Sequence, residues 1–182
     1  MAHKSWRSYL DLSQVIDFVD QADKEIGRYR TEFTISATNL QANSFVLPIL
    51  AWQCIRYGRS ELSQVPTDKR GIYAFVVSQP SPVLPPHGYV MYIGIAGRKS
   101  DRSLNARYRD YLNPQKIMKR QRIARMIANW REVLRFCFAP VDSSITSEQL
   151  EEMERQLSTA MLPPFSDGDL EATTKSKRRA FR

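Results

Sequence analysis

Over the first thirty residues the apolar positions recur at helical spacing. Leu12, Val15, Ile16, Phe18, Val19, Ala22 and Ile26 form one stripe with Asp and Glu between them, which predicts an amphipathic helix over residues 11–30. A second apolar run, residues 45–57, reads as another helix that opens near Pro48 and ends before Gly58. The period changes at residue 71. Residues 71–78 and 89–94 are β-branched and aromatic runs, and the stretch between them contains Pro80, Pro82, Pro85 and Pro86. They predict two antiparallel strands with a long proline-rich connection.

Residues 104–112 then read as a short helix stopped by Asn113-Pro114, and residues 115–133 as one longer basic helix carrying Ile117, Ile123, Ala124, Ile127 and Trp130. Residues 134–141 alternate as a strand should, with Leu134, Phe136 and Phe138 on one face. Thr146-Ser147-Glu148-Gln149 is a capping signal for a last helix that carries Glu148, Glu151, Glu152 and Glu154 and ends near Pro163-Pro164. From residue 71 the order is β-β-α-α-β-α, with no internal repeat. The fold expected is α/β of the α+β type: a small three-stranded antiparallel sheet flanked by helices. The division expected is a helical N-terminal segment 1–66, a domain 67–170 and a basic tail 171–182.

Charge changes this picture by being local. The chain of 182 residues has 27 Lys and Arg against 19 Asp and Glu, a net +8. Residues 98–135 alone hold twelve basic side chains against Asp101, Asp110 and Glu132, whereas residues 1–97 are near neutral with nine against eight. Residues 136–171 reverse the sign, and five basic residues follow from Lys175 to Arg182. Such a block fits a face that binds phosphates, though a solvated helix surface gives a basic run as well; a polyanion such as nucleic acid is the partner expected. The longest apolar run, residues 45–52, is too short to span a bilayer, and residues 1–5 lack the apolar stretch of a signal peptide. A soluble cytoplasmic protein with no membrane partner is expected. Cys54 and Cys137 stand far apart in apolar surroundings and read as buried thiols rather than a disulfide or metal pair.

Several chemistries fall away. His3 and His87 are the two histidines, too few for a zinc cluster and poor material for a histidine relay. There is no Walker-type phosphate loop and no GxGxxG. Enzymatic chemistry here would rest on Tyr, Arg, Lys and carboxylates.

The two strand runs contain Gly71-Ile72-Tyr73 and Tyr92-Ile93-Gly94 intact. The helix after them reads Leu104-Asn-Ala-Arg107-Tyr-Arg-Asp-Tyr111-Leu112, and the last helix gives Leu150-Glu-Glu-Met-Glu154-Arg-Gln-Leu157 with Pro163 nine residues after Glu154. In these residues and their order, residues 70 to about 167 resemble the GIY-YIG nuclease family. The resemblance implies a phosphodiester-cleaving endonuclease acting on DNA, with RNA a further candidate. It implies Tyr73, Tyr92, Arg107, Tyr111 and Glu154 as the catalytic set, with Glu154 holding one Mg²⁺ or Mn²⁺. It also implies that the two tyrosines lie side by side on adjacent strands; which of them receives a proton stays open.

The residue types make such a site coherent. Hydrolysis of a phosphodiester needs an activated water and stabilisation of charge on the phosphoryl oxygens. A lone carboxylate such as Glu154 suits a hard cation that keeps waters and takes further ligands from phosphate. Arg107 offers a permanently charged fork for phosphate oxygens. A tyrosine, with an ordinary pKa near ~10, can act as base only where a cation lowers it. Tyr111, four residues after Arg107, falls on the same side of its helix and could position water or phosphate. Arg98, Lys99, Arg102, Arg109, Lys116, Lys119, Arg120 and Arg122 are the nucleic-acid-binding candidates, with the 175–182 tail adding grip. Gly71 and Gly94 serve either close backbone packing or turn geometry.

Two positions depart from the family. Ile95 stands where many members carry a Lys after the YIG glycine, and Ser166 where many carry an Asn. Arg98, Lys99 or Arg102, in a longer connection, could supply the missing cation. These departures favour a second reading, a nucleic-acid-binding or scaffold protein that keeps the fold and has lost the chemistry. The N-terminal helices would then recruit a protein partner or a second copy. Among active enzymes, restriction or defence, repair and mobile-element roles all stay open.

Overall fold

Four strands pair antiparallel in the order β1-β4-β2-β3, where β1 is Gln53–Arg56, β2 Gly71–Val77, β3 Tyr89–Ala96 and β4 Leu134–Pro140. The structure is a computed structural model that describes residues 17, 20–21, 23–33, 41, 49–78, 85, 87–98 and 100–166. The chain divides into two compact units, residues 1–31 and 32–182. In the first, the described residues from Asp17 to Glu25 are helical and Gly27–Tyr29 form a 3₁₀ turn. Of the helix expected over 11–30, residues 17, 20–21 and 23–25 are α-helical and residues 26–30 are not, while its apolar stripe, apart from Ile26, lies outside the described residues. Ile26 is exposed.

The second unit holds the sheet. Helices α1 (Leu104–Asp110), α2 (Pro114–Met118), α3 (Gln121–Trp130) and α4 (Ser147–Met161) surround it. Alternation places Tyr73, Phe75, Phe136 and Phe138 on one face with Leu104, Tyr108 and Tyr111 from the α1 segment and Ile123, Met126, Ile127 and Trp130 from α3. Ile72, Ala74, Ile93 and Ile95 occupy the other face with Leu150 and Met153 of α4. The sheet is thus buried on both faces, which is why residues 71–77 read as a continuous apolar run.

Three expectations need correction. The sheet has a fourth strand, and it lies where a helix was expected: Gln53–Arg56 pairs with β4 from Gln53↔Phe138 to Arg56↔Arg135. A short apolar run fits a helix or a buried strand equally well, and here tertiary pairing decides. That pairing sets Cys54 directly opposite Cys137, with Cα atoms 4.0 Å apart, and the two form a disulfide. Cys137 is buried and Cys54 exposed, and the expectation of two buried thiols fails because the β1–β4 register brings the two sulfurs together. Residues 45–48 of the expected helix lie outside the described residues. Finally, the single helix expected over 115–133 is two. Arg120 leaves helical geometry (φ −126°, ψ 75°) between α2 and α3. Ile117 is out of phase with Ile123, Met126, Ile127 and Trp130, so one straight helix could not bury it with them; the break resets the phase.

Other elements follow their local signals. Ser103 caps α1 by accepting from the Ala106 N–H, and Asn113 caps α2 with Pro114 in its first turn. Thr146 and Gln149 form the complete capping box of α4. Leu162 ends α4 in the left-handed region (φ 44°), and the chain turns back toward β3. Among the described residues no helix is long and apolar enough to cross a membrane.

Candidate active site

The two tripeptides lie on the paired strands β2 and β3, but offset. Tyr73 is opposite Gly94, and Tyr92 is opposite Phe75. The tyrosines are therefore diagonal neighbours, with ring centroids 6.2 Å apart. A Cβ added at Gly94 would overlap the Tyr73 hydroxyl and lie 2.6 Å from its Cζ; one at Gly71 would overlap the Ala139 carbonyl oxygen. Neither glycine has positive φ. Of the two roles open to them, close packing is the one observed, and Gly94 specifically makes the bed for the Tyr73 phenol.

A β-bulge sits beside this pair. Phe75 pairs with Tyr92 and Val76 with Val90, which leaves Met91 as the extra residue. The Met91 carbonyl accepts from the Phe165 N–H at 3.0 Å, and Ser166 Oγ accepts from the Ile93 N–H at 3.0 Å. The segment following α4 thus covers the β3 edge. Ser166 is buried in this role. It ties the chain after Pro163 to the strand that carries Tyr92.

The tyrosines then part company. Tyr73 and Tyr111 are fully buried, and their hydroxyls meet at 2.7 Å. Arg107 Nε donates to Tyr73 Oη at 2.9 Å, and Arg120 Nη1 donates to Tyr111 Oη at 3.1 Å. Burial pushes the Tyr73 phenol well above its ordinary value, the neighbouring Tyr111 and Tyr92 push it further, and Arg107 opposes them only in part. Tyr73 is held as a neutral phenol. Burial works against the Arg107 charge, but the oxygens of Tyr73 and Tyr111 outweigh it and its pKa is raised. Arg107 stays a cation at any working pH.

Tyr92, by contrast, lines a cavity of about 290 Å³ together with Ile95, Ala96, Gly97, Arg98, Ser100, Arg102, Arg107 and Glu154. Arg107 comes from α1, on one face of the sheet, and Glu154 from α4, on the other; they converge at the edge strand β3. Glu154 is 4% exposed, whereas Glu151 is exposed and Glu152 pairs with Arg155. Glu154 is thus the carboxylate of α4 that reaches the cavity. The Arg98 guanidinium ion-pairs with it and stands 3.9 Å from Glu151. Ile95 is buried against the core, so cationic charge enters from Arg98 and Arg102 instead.

The remaining candidates scatter. Lys99 and the 175–182 tail lie outside the described residues. Lys116 pairs with Asp110 at 2.6 Å, and Arg122 donates to the Pro164 carbonyl at 2.6 Å. Lys119 is exposed. Arg109 lines a separate, larger concavity of about 670 Å³ with Arg59, Leu62, Leu112, Asn113, Pro114 and Gln115. That concavity can hold an anion but has no acid or hydroxyl among its described lining residues. Asp110, a buried carboxylate in contact with the cavity's Arg102 and near its Arg107, is not singled out by the sequence, since its signal is only an acid at the end of a basic helix.

Glu154 is the one carboxylate among the described cavity residues and the one anionic ligand they could offer a hard cation; the three arginines beside it can bind phosphate oxygens but not a metal. Among the described residues no group of three or more His, Cys, Asp or Glu side chains is placed so that it could hold a metal ion. Compared with known proteins, the chain matches no protein-family model, no curated protein and no solved structure.

Proposed function

We infer that the chain is a metal-dependent phosphodiesterase. More narrowly, it is read as a GIY-YIG-type endonuclease that hydrolyses DNA. The observation that carries this reading is the convergence of Arg107 and Glu154, from opposite faces of the sheet, on the cavity that Tyr92 lines at β3. Neither residue type nor spacing alone would demand that meeting.

In this reading Arg107, fixed at Nε by the Tyr73 hydroxyl, presents its remaining N–H groups to phosphoryl oxygens, with Arg102 and Arg98 adding charge. Glu154 would hold Mg²⁺ or Mn²⁺, which when bound polarises the phosphate and lowers the pKa of water. Arg98 swings from Glu154 to the phosphate as substrate enters. Tyr92, the tyrosine at the cavity, orients the attacking water, and the buried Tyr73 and Tyr111 hold Arg107 in place. The basic residues beyond the cavity would lie along the DNA backbone.

Plasmid nicking with Mg²⁺ or Mn²⁺ tests this. Wild type should nick, chelation should abolish nicking, and Glu154→Ala and Arg107→Ala should each lose roughly 10²- to 10³-fold in rate. No nicking by wild type, or equal nicking by all three proteins, would overturn the reading. One observation favours the second reading, a binding protein without chemistry: Arg98 occupies the carboxylate a metal would need. DNA binding retained without cutting is the outcome that reading requires.

A further inference from the structure

The geometry points to Asp110 as the positioning residue of the cavity, the buried carboxylate that fixes Arg102 and Arg107 as one phosphate-binding fork. This inference deepens the nuclease reading and rests on it. Asp110 is the last residue of α1 and 7% exposed. Local physics disfavours it there twice over. A carboxylate at a helix C-terminus meets the negative end of the dipole, and Asp is a poor helix former. Burial of its charge adds a desolvation cost. A neutral residue would serve α1 better on every one of these counts.

Its partners explain what it does instead. Arg102 Nη2 contacts Asp110 Oδ2, Lys116 Nζ lies 2.6 Å from Oδ1, and Arg107 Nη1 lies 3.9 Å from Oδ2. Two of these three cations, Arg102 and Arg107, line the cavity. Arg102 precedes the N-cap of α1 and donates also to the Ala106 carbonyl at 3.3 Å, so it lies along the helix to reach Asp110 at the far end. Arg107 is one turn before Asp110 on the same face. It is held on its other side by Tyr73. A long arginine side chain left alone samples many rotamers and loses that freedom on binding. Asp110 removes it beforehand for two arginines at once, and with three cations around one acid the group keeps a net positive charge.

A mere counter-charge and a positioning residue predict opposite results. Asp110→Asn keeps the size and removes the negative charge. If Asp110 only neutralised cations, the variant would bind DNA more tightly and cut at least as well. As a positioning residue, its loss leaves DNA binding equal or tighter while turnover falls roughly 10- to 100-fold. The Arg107 Nε–H resonance, dispersed and protected in wild type by its bond to Tyr73, should broaden or shift in Asp110→Asn. Asp110→Glu should recover most of both signals.

Turnover unchanged or raised in Asp110→Asn overturns the proposal. So does lost turnover with an unmoved Arg107 resonance and a lower melting temperature, which marks a purely structural part. Should Asp110→Asn not fold, Asp110→Glu carries the test: the proposal requires the Arg107 resonance and turnover to move together. If wild type itself does not nick, the nuclease reading fails. The Arg107 resonance then still decides whether Asp110 positions the arginines: it moves in Asp110→Asn and returns in Asp110→Glu if the proposal holds, and stays put in both if it does not.

Discussion

The two sides of the cavity are built on different physics. On the α1 side everything is prearranged: Arg107 is gripped at Nε by a hydroxyl that is itself paired to a second buried hydroxyl, and α1 packs on the aromatic face of the sheet. On the α4 side a single buried carboxylate faces a guanidinium that is 46% exposed and arrives on a loop. One side is rigid and carries a fixed charge. The other is an ion pair at Glu154 Oε2 with a guanidinium that solvent reaches and that can exchange. If the cavity works as proposed, it need not be uniformly stiff: charge recognition gains when the cations are ordered before substrate arrives, whereas an exchangeable ligand gains when its partner can leave.

The rigid side should break hardest. Arg107→Lys keeps the charge but loses the fork and the Nε donor to Tyr73, and turnover should fall about 10²-fold with a smaller change in DNA affinity. Steady-state nicking combined with binding anisotropy checks this. If lysine works as well, the Tyr73 grip has no catalytic meaning. The exchangeable side should respond differently. Arg98→Ala leaves Glu154 without its guanidinium, so Mg²⁺ or Mn²⁺ should bind the DNA-free protein several-fold more tightly, with turnover changed less than in Arg107→Lys. Calorimetric titration of metal is the measurement. Unchanged or weaker metal affinity would mean Glu154 is not the metal's ligand.

A substitution outside both sides sets the scale for stability alone. Cys54→Ser removes the bond between edge strand β1 and β4, which closes a loop spanning 83 residues. The loss should be about 2–4 kcal/mol, read in denaturant melts under oxidising conditions, with nicking at low temperature preserved. Reduction of wild type should reproduce it. A disulfide that contributes nothing would mean that the backbone pairing with β4 and the burial of Ile55 suffice to hold β1.

These regions were also unequally legible. Strands β2, β3 and β4 were readable because aromatic and β-branched runs such as 71–77 have little else they can be. The α4 cap was readable because Thr146 and Gln149 signal locally. Strand β1 was not, since Gln53–Arg56 acquires its conformation from Phe136 and Cys137 across the sheet, about eighty residues away. The same holds within the site. Glu154 and Arg107 could be singled out by motif and spacing, but the bulge at Met91, the partnership of Tyr73 with Tyr111 and the Asp110 cluster are contacts between elements. No periodicity encodes them. Even the tyrosines, alike in sequence, take different surroundings because Gly94 rather than Tyr92 is opposite Tyr73.

Gly94→Ala probes that offset. The new methyl would overlap the Tyr73 hydroxyl, and buried aromatics packed around Tyr73, including Phe75, Tyr111 and Phe136, leave little room to retreat. A cost of about 1–3 kcal/mol is expected from overpacking, with turnover falling because Arg107 loses its anchor. Paired melts and nicking rates check both halves. Loss of stability without loss of rate would separate the glycine's packing role from the α1 side of the site.

The smallest effect comes with alkali, and it separates the buried phenols from ordinary ones. Tyr108 donates to the Gly58 carbonyl and is pushed by burial to about 12, and burial raises Tyr73 well above its usual range. In the unfolded chain both ionise near ~10. The native state therefore holds these protons more tightly, so the associated stability is complete below that value and declines as pH rises from it toward the native pKa, about 12 for Tyr108. Melting temperature should be insensitive to these groups at neutral pH and fall progressively in that alkaline window. Tyrosinate absorbance should show Tyr73 and Tyr108 ionising above the range of an ordinary phenol, read as differences from Tyr73→Phe and Tyr108→Phe. Early titration of Tyr73, seen as a difference from Tyr73→Phe below that window, would mean that Arg107 outweighs burial. The rigid side of the cavity would then own a base as well as a fork.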